Sequence, residues 1–536
     1  MVISAVQEQH QQPVSPVRRH IGTAILVRSG WVAPLAVAIV PCLVFLTAIA
    51  NGYVWDDHFN FIANRGYRGL GWTQVTWMLT SAHLAHWIPV TWLTFGLDYA
   101  MWGMAPAGYH LTNILFHAAN ATVFYHIAWR LLRAATPAAS HALLVAGSAV
   151  AALFFAIHPL RVESVAWITE RRDVVSGLFF LLAVLAYLRA WDTGRRTGRW
   201  LAISVVCFQF GVLSKSIVVT LPVVLLILDV YPLQRLDPSV RQWTTPANRR
   251  VFLEKLPYLP MILLGSFVAI STFGRDGALT SLGSVSLLER LTMMSYGASF
   301  YIWKTALPFG LSPLYELPQT ISLAAPRFLV TYLSTLGLTV LFVVLRRRWP
   351  AGLAAWLVYL CILTPVSGLL QNGRHLVADR NSYLACLPWA LIVGGALIWL
   401  CRARLTREVG RSAPGLASVC LGGWLLMLAV LSSYQTTIWR DDETLWRHAV
   451  AVDAGCFTCQ YNLGTILTAN GMTAAAIKHL QAAVALRSQS AVPHGALVMA
   501  HLASGRPADA EVELQILRGL DPELARTLSP ALLATW

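Results

Sequence analysis

Eleven stretches of this chain contain no Asp, Glu, Lys or Arg: 33–51, 108–129, 142–160, 174–188, 200–214, 216–228, 257–274, 328–345, 351–373, 382–401 and 415–438. Most approach or exceed the roughly 17–25 residues that an α-helix needs to cross a bilayer. Runs 200–214 and 216–228 are short and are parted only by Lys215. Charged residues make up 12% of the chain, against about 25% in soluble domains. The pattern predicts an all-α, polytopic helical membrane protein with about eleven transmembrane helices.

The net charge of +15 could point to nucleic acid, but its placement points to a membrane. Basic residues collect in short loops: Arg130/Arg133, Arg189/Arg195/Arg196/Arg199, Arg241/Arg249/Arg250/Lys255, Arg346–Arg348 and Arg402/Arg404/Arg407/Arg411. Arg18, Arg19 and Arg28 add to the N-terminal arm, residues 1–32. By the positive-inside rule these segments face the cytoplasm. Loops 52–107, 161–173, 274–326 and 374–381, and everything after residue 438, then face outside. Residues 287–308 are apolar but hold Glu289, Arg290 and Lys304. A crossing there would invert Arg346–Arg348, so the segment is expected to be re-entrant or interfacial. The first run lacks a small-residue cleavage site and reads as an uncleaved anchor.

Beyond residue 438 the character changes. Gly471 and Gly505 stand 34 residues apart, each followed by an alanine-bearing segment. That period matches the tetratricopeptide repeat (TPR). Residues 439–536 are therefore expected to form a TPR-like unit outside the membrane, following a membrane domain of residues 33–438. Its role is either a surface for a polypeptide or assembly partner, or a folding cap. Cys456 and Cys459 within it are equally compatible with a disulfide and with two thiols.

Polar residues gather on the outer side. Trp55-Asp56-Asp57-His58 follows the first run, and two adjacent carboxylates at a membrane edge need a cation, a proton or wide solvent access. His86, Trp87, His110 and Asn113 follow, then His158, Arg161, Glu163, Glu170, Arg171, Arg172 and Asp173, then Lys215, and finally Arg374, His375, Asp379 and Arg380. Cations can hold a lipid phosphate at headgroup level. A carboxylate can take a proton from an attacking hydroxyl, and carboxylates can hold a divalent ion. The bland alternatives are a solvated loop pair for Asp56/Asp57, a salt-bridge network for residues 163–173, a snorkelling Lys215 and hydrogen-bonded helix histidines.

Several blocks carry a resemblance. They are Trp55-Asp56-Asp57, Trp87-x-Pro89-x-Thr91-Trp92-Leu93, Gly108-Tyr109-His110-Leu111-Thr112-Asn113, His158-Pro159-x-x-x-Glu163 and Glu170-Arg171-Arg172-Asp173-Val174. Others are Leu213-Ser214-Lys215, Ala378-Asp379-Arg380-x-x-Tyr383 and Trp439-Arg440-Asp441-x-Glu443. The chain resembles the multi-spanning glycosyltransferases of the GT-C superfamily that bear TPR segments, the protein O-mannosyltransferases among them.

The resemblance implies a polyprenyl-phosphate-linked sugar as donor, with mannose as the candidate sugar. It implies inverting transfer to a hydroxyl acceptor, protein in the first instance. Asp56 and Asp57 would supply the base and a site for a divalent cation, Mg or Mn. Glu163, Glu170 and Asp173 would assist catalysis. Lys215, Arg374, Arg380, Arg171 and Arg172 would hold the donor's lipid phosphate. His86, Trp87, His110, Asn113 and His158 would line the pocket for acceptor or sugar. Ile88 and Arg161 stand where such proteins often have His, and Ser216 where bacterial ones often have Pro.

The expected protein is thus a glycosyltransferase of a bacterial inner membrane, N-terminus cytoplasmic and TPR segment periplasmic, in contact with membrane lipid and not with nucleic acid. Its rivals are a non-catalytic membrane TPR assembly or chaperone protein, a flippase, and a transferase directed at lipid or glycan.

Overall fold

The computed structural model describes residues 30–192, 197–275, 285–369, 373, 375–405 and 413–533. Most of the N-terminal arm, with Arg18, Arg19 and Arg28, lies outside the described residues, as does Arg374. Each of the eleven uncharged runs forms helix over most of its length. Among the described residues, four helices could cross a bilayer by length and composition: Ile168–Trp191, Asn248–Thr272, Pro326–Leu345 and Val419–Ile438. Two bent pairs, His141–Ala156 with Pro159–Ala166 and Asp379–Ala385 with Leu387–Ala403, raise that number to six.

Run 108–129 lies in one unbroken helix, Pro106–Ala135, that is not among these spans, and the remaining runs fall short because the backbone breaks them. Val32–Val44 gives way to a 3-10 turn at Leu46–Ala50. An extended Lys215 parts Thr197–Val212 from Ser216–Val230. Pro350–Leu363 passes into a 3-10 turn at Thr364–Val366. Length and composition therefore support a multi-pass helical protein, and a count of eleven is finer than they resolve.

The central element is Pro106–Ala135, 30 residues long and so about 45 Å end to end. A proline in its first turn suits the start of a helix, where no intrahelical N–H is needed. His110, Asn113, His117 and Asn120 recur at helical spacing on its buried side. This polar stripe fixes the segments that carry the chemistry. Asn113 donates to Val165 O at 3.2 Å, and Asn120 donates to Val174 O and to the Tyr383 hydroxyl, both at 2.8 Å. His117 bonds Tyr383 Oη and Ala156 O, again at 2.8 Å.

Helices His141–Ala156 and Leu387–Leu405 cross at Gly147 and Gly394, where a Cβ on Gly394 would come within 2.3 Å of Gly147 O. Small residues at a crossing let two backbones approach closely, as is common between membrane helices. Leu287–Ala306, the segment expected to be re-entrant or interfacial, is one helix opened by a capping box between Ser286 and Glu289. It packs on Pro326–Leu345 through Ser299 and Thr335. Its Arg290 is buried and donates to Leu369 O at 2.7 Å.

A short β pair lies outside the all-α expectation. Tyr315–Glu316 (β1) pairs antiparallel with His375–Val377 (β2), Tyr315 opposite Val377 and Glu316 opposite His375.

Six helices follow residue 441: Asp442–Val452, Phe457–Ala469, Thr473–Leu486, Ala491–Ala503, Pro507–Leu520 and Pro522–Leu533. Gly471 and Gly505 both take positive φ, +77° and +71°, at helix-to-helix turns. After each, a backbone N–H reaches back to close the preceding helix, Met472 N to Leu467 O and Arg506 N to His501 O. The 34-residue period is thus a repeated turn. Cys456 and Cys459 are joined as a disulfide, and Glu316 of β1 accepts from Phe457 N, Thr458 Oγ1 and Arg487 Nη2 at 2.7–2.9 Å.

Candidate active site

The two adjacent acids face different surroundings. Asp57 is fully buried. Its Oδ1 accepts from Thr169 N at 2.9 Å and Thr169 Oγ1 at 2.6 Å, and its Oδ2 accepts from Val54 N at 3.1 Å. Burial pushes its carboxyl up to about 7, against the lowering effect of those three bonds. Asp56 is half-buried and lines a small pocket of about 90 Å³ together with Asn60, His83, His86, Trp92, Thr169 and Arg172. Burial raises its carboxyl too, opposed by the charges of Arg172 and Arg380.

The divergence begins one residue earlier. Trp55 has φ +54°, a left-handed conformation unusual for a bulky side chain and costing about 1–2 kcal/mol. Its indole lies flat on Trp167, with ring centres 4.8 Å apart and planes within 5°. Trp446 meets its edge at 5.0 Å, and Trp439 also stacks on Trp167, at 5.4 Å.

Beside the small pocket, and sharing Leu84, His86, Ile88 and Arg172 with it, opens a cavity of about 320 Å³. Arg172, Lys215, His375 and Arg380 supply its polar wall, and Val212, Ile217, Gly265, Val268, Ala269 and Val366 its apolar one. The cations are anchored from behind. Glu170 pairs with Arg172, with Lys215 Nζ at 3.1 Å and with Arg380 Nε at 3.3 Å. Asp173 holds Lys215 at 2.6 Å and accepts from Ser164 Oγ at 3.1 Å. Glu163 pairs with Arg380 and also accepts from its backbone N at 2.7 Å.

Exposure separates the two sets. The side chains of Glu170, Glu163 and Asp173 are 0, 3 and 5% exposed, those of Arg172, Arg380 and Lys215 11, 13 and 15%. The three acids expected to assist catalysis are therefore the backing of the three cations, and the cations front the cavity. Two histidines complete the rim. Burial depresses His86 well below the usual range and His375 to about 3, so both rings are neutral at pH 7.

Other expected site residues are placed elsewhere. Arg171 does not reach the cavity. Its side chain is fully buried, bonded to Asn113 Oδ1 and Tyr109 O at 2.7 Å and to Asp98 at 2.5 Å. Asn113 is occupied by that arginine and by Val165 O, His110 is buried on the inner face of its helix, and His158 bonds Thr305 O at 3.0 Å. None of the four lines either cavity. Trp87 lines the larger one, though its indole N–H is committed to Leu79 O.

Of the two acids expected to hold a cation, Asp57 gives both acceptor positions of Oδ1 and one of Oδ2 to protein donors. Among the described residues no group of three or more His, Cys, Asp or Glu is arranged to hold a metal ion. Arg161, where histidine was the comparison, donates to Ser382 O and Oγ at 2.8 Å and packs on Phe155 and Tyr383. It joins the segment around residues 158–163 to the turn that carries Arg380.

Three residues that position this site carry no distinctive motif: Asp98, a lone acid beneath Arg171; Thr169, which fixes Asp57; and Asp442, which bonds Trp55 and His58. A single charge in a long apolar stretch was the available signal for Asp98.

No protein-family model matches the chain. In sequence it is 26% identical over 501 residues to the protein O-mannosyl-transferase TMTC4 of Mus musculus, covering 83% of this chain and 65% of that protein. It is 25% identical over 489 residues to the protein O-mannosyl-transferase TMTC1 of Homo sapiens, covering 83% and 54%. It is 23% identical over 468 residues to the protein O-mannosyl-transferase Tmtc3 of Drosophila melanogaster, covering 76% and 49%. The chain thus spans 49–65% of the length of these relatives, whose names are those of the family that the sequence blocks resemble. Among solved structures, the Archaeoglobus fulgidus oligosaccharyltransferase tethered with an acceptor peptide aligns at a TM-score of 0.38 and 13% identity, over 83% of this chain and 58% of that one. Its apo form aligns at 0.36 and 14%, over 79% and 56%.

Proposed function

We propose that this protein transfers a single sugar, mannose being the candidate, from a polyprenyl-phosphate-linked donor to a hydroxyl on a protein acceptor. The carrying observation is one juxtaposition: Asp56 shares a rim, through Arg172 and His86, with a cavity that is cationic on one wall and apolar on the other. An amphiphile with an anionic head matches such a cavity. The names of the sequence relatives support protein as acceptor and mannose as sugar.

In this reading Arg172, Lys215 and Arg380 receive the donor phosphate, with Arg as a bidentate partner and Lys as a point charge. The lipid tail leaves past Val212, Ile217 and Gly265. The Asp56 carboxylate takes the proton of the acceptor hydroxyl. That oxygen attacks the anomeric carbon from the face opposite the phosphate, the carbon–oxygen bond to phosphate breaks, and the lipid phosphate departs with the electron pair. The configuration inverts. Fixed cations aimed at the oxygen where charge develops lower the barrier without reorganising. No step is assigned to a metal. Residues 33–438 form the catalytic unit, with about eleven spans in a bacterial inner membrane and both cavities outside. Residues 439–536 form a TPR-like array in the periplasm that presents the acceptor or a partner.

The test is transfer by purified protein from a panel of radiolabelled polyprenyl-phosphate sugars into host membrane extract, beside Asp56→Asn. Label entering protein with the parent alone supports the reading. Label entering lipid or glycan redirects the acceptor class. No transfer from any donor removes the proposal.

A further inference from the structure

Asp56 is one residue of a turn whose two ends are held by a single distant side chain. Asp442 Oδ1 accepts from Trp55 N at 2.7 Å, and Asp442 Oδ2 bonds His58 Nε2 at 2.6 Å. Inside that grip, His58 N returns to Trp55 O at 3.2 Å, and Asn60 N returns to Asp56 O at 2.9 Å. The clamp is reinforced upstream, where Gly52 N donates to Arg440 O and Asn51 Nδ2 to Thr436 O.

Asp442 is not needed for its own helix. The helix Asp442–Val452 is capped by Asp441, whose Oδ1 accepts from Thr444 N at 2.8 Å. An acid in the first turn of a capped helix ordinarily faces water; this one is turned onto the first outer loop. What it holds there is the left-handed backbone of Trp55, a conformation that a bulky residue adopts when its surroundings impose it. Reversing that φ would redirect the chain entering Asp56 and separate Trp55 from Trp167.

We infer that Asp442 is a positioning residue that aims Asp56 into the small pocket beside the cavity, so that the segment after the last span completes the site. The inference rests on the reading of Asp56 as the base. It makes the first C-terminal helix part of the transferase unit and leaves the repeated turns at Gly471 and Gly505 as a separate module.

The test compares Asp442→Ala, Asp442→Asn and His58→Ala in the full-length purified protein. Asp442→Ala is expected to lower kcat at least tenfold, with the donor KM within twofold of the parent and the thermal midpoint nearly unmoved. Asp442→Asn keeps an oxygen for Trp55 N and should lie between, as should His58→Ala. Trp55→Gly should retain more activity than Trp55→Ala, because glycine accepts the left-handed conformation without help. A full kcat in Asp442→Ala, or a loss that merely tracks thermal stability across the set, overturns the inference. Where Asp442→Ala does not accumulate, Asp442→Asn carries the same test.

A second measurement needs no turnover. A cryo-electron-microscopy structure of the Asp442→Ala variant should show Trp55 relaxed and the Asp56 carboxylate out of the small pocket. Asp56 unmoved overturns the inference even if the parent proves to transfer no sugar, an outcome that would separately remove the proposed function.

Discussion

Thr169 gives both its amide and its hydroxyl to the same carboxylate oxygen of Asp57, so the acid that immediately follows the proposed base is already spoken for. The expected division of labour is testable by exchanging each acid for its amide. Asp57→Asn places an NH₂ group against at least one protein donor and should cost about 1–3 kcal/mol of stability. A lowered thermal midpoint in detergent checks this, and an unchanged midpoint would contradict it.

The same residue sets a pH dependence. Burial holds the folded carboxyl at about 7, above its ordinary 3.8. Between about pH 4 and 7 the folded protein keeps a proton that the unfolded chain has released. This group therefore favours folding at the acid end, and its contribution falls as pH rises through that window. The parent's thermal midpoint should drop from pH 5 to pH 8 by more than that of Asp57→Asn.

Asp56→Asn should leave the midpoint near the parent's and reduce kcat by about 10²–10⁴, the span typical of a general base. Burial raises Asp56, so parental activity should decline on the acid side as the carboxylate is protonated, and the residual activity of the variant should lack that limb. A variant with parental kcat would exclude Asp56 as base.

Glu170 and Lys215 should fail differently. Glu170 is buried against three cations, so Glu170→Gln leaves them mutually repelling and should cost about 3–5 kcal/mol, the usual penalty for breaking a buried ion pair. Lys215 fronts the cavity, and its loss leaves Glu170 paired with Arg172 and Arg380 but Asp173 without its cation, so Lys215→Met should cost less stability than Glu170→Gln and should raise the donor KM several-fold. Expression yield and donor titration separate the two outcomes.

Glu316→Ala removes three acceptor bonds that join β1 to Phe457, Thr458 and Arg487. Faster amide exchange and proteolysis in residues 457–503 should follow. Unaltered protection would mean that β1 does not hold the array.

Much of this site was legible because charge is scarce in the chain. Glu163, Glu170, Arg172, Asp173, Lys215 and Arg380 stand out from apolar surroundings, and the structure joins all six. What one sequence does not carry is direction. Arg171 and Arg172 are neighbours, but about 100° of helical rotation separates them: one enters the packing against Asp98, the other fronts the cavity. The motif Trp439-Arg440-Asp441-x-Glu443 skips Asp442, the residue that reaches Trp55. β1 and β2 are two and three residues long, too short to leave an alternating pattern. The helical runs were plain from composition, whereas their breaks at Lys215 and Leu46–Ala50 depend on local backbone geometry.

The balanced wall of three carboxylates behind three cations has a kinetic consequence for the proposed reaction. A sugar-bearing lipid phosphodiester brings one negative charge to that wall. The lipid monophosphate left after transfer carries about −1.5 to −2 at neutral pH. The same guanidinium and ammonium groups that ease bond breaking then grip the spent carrier harder than the fresh one. For the proposed reaction the expected outcome is that accumulated lipid monophosphate competes with the donor and slows turnover.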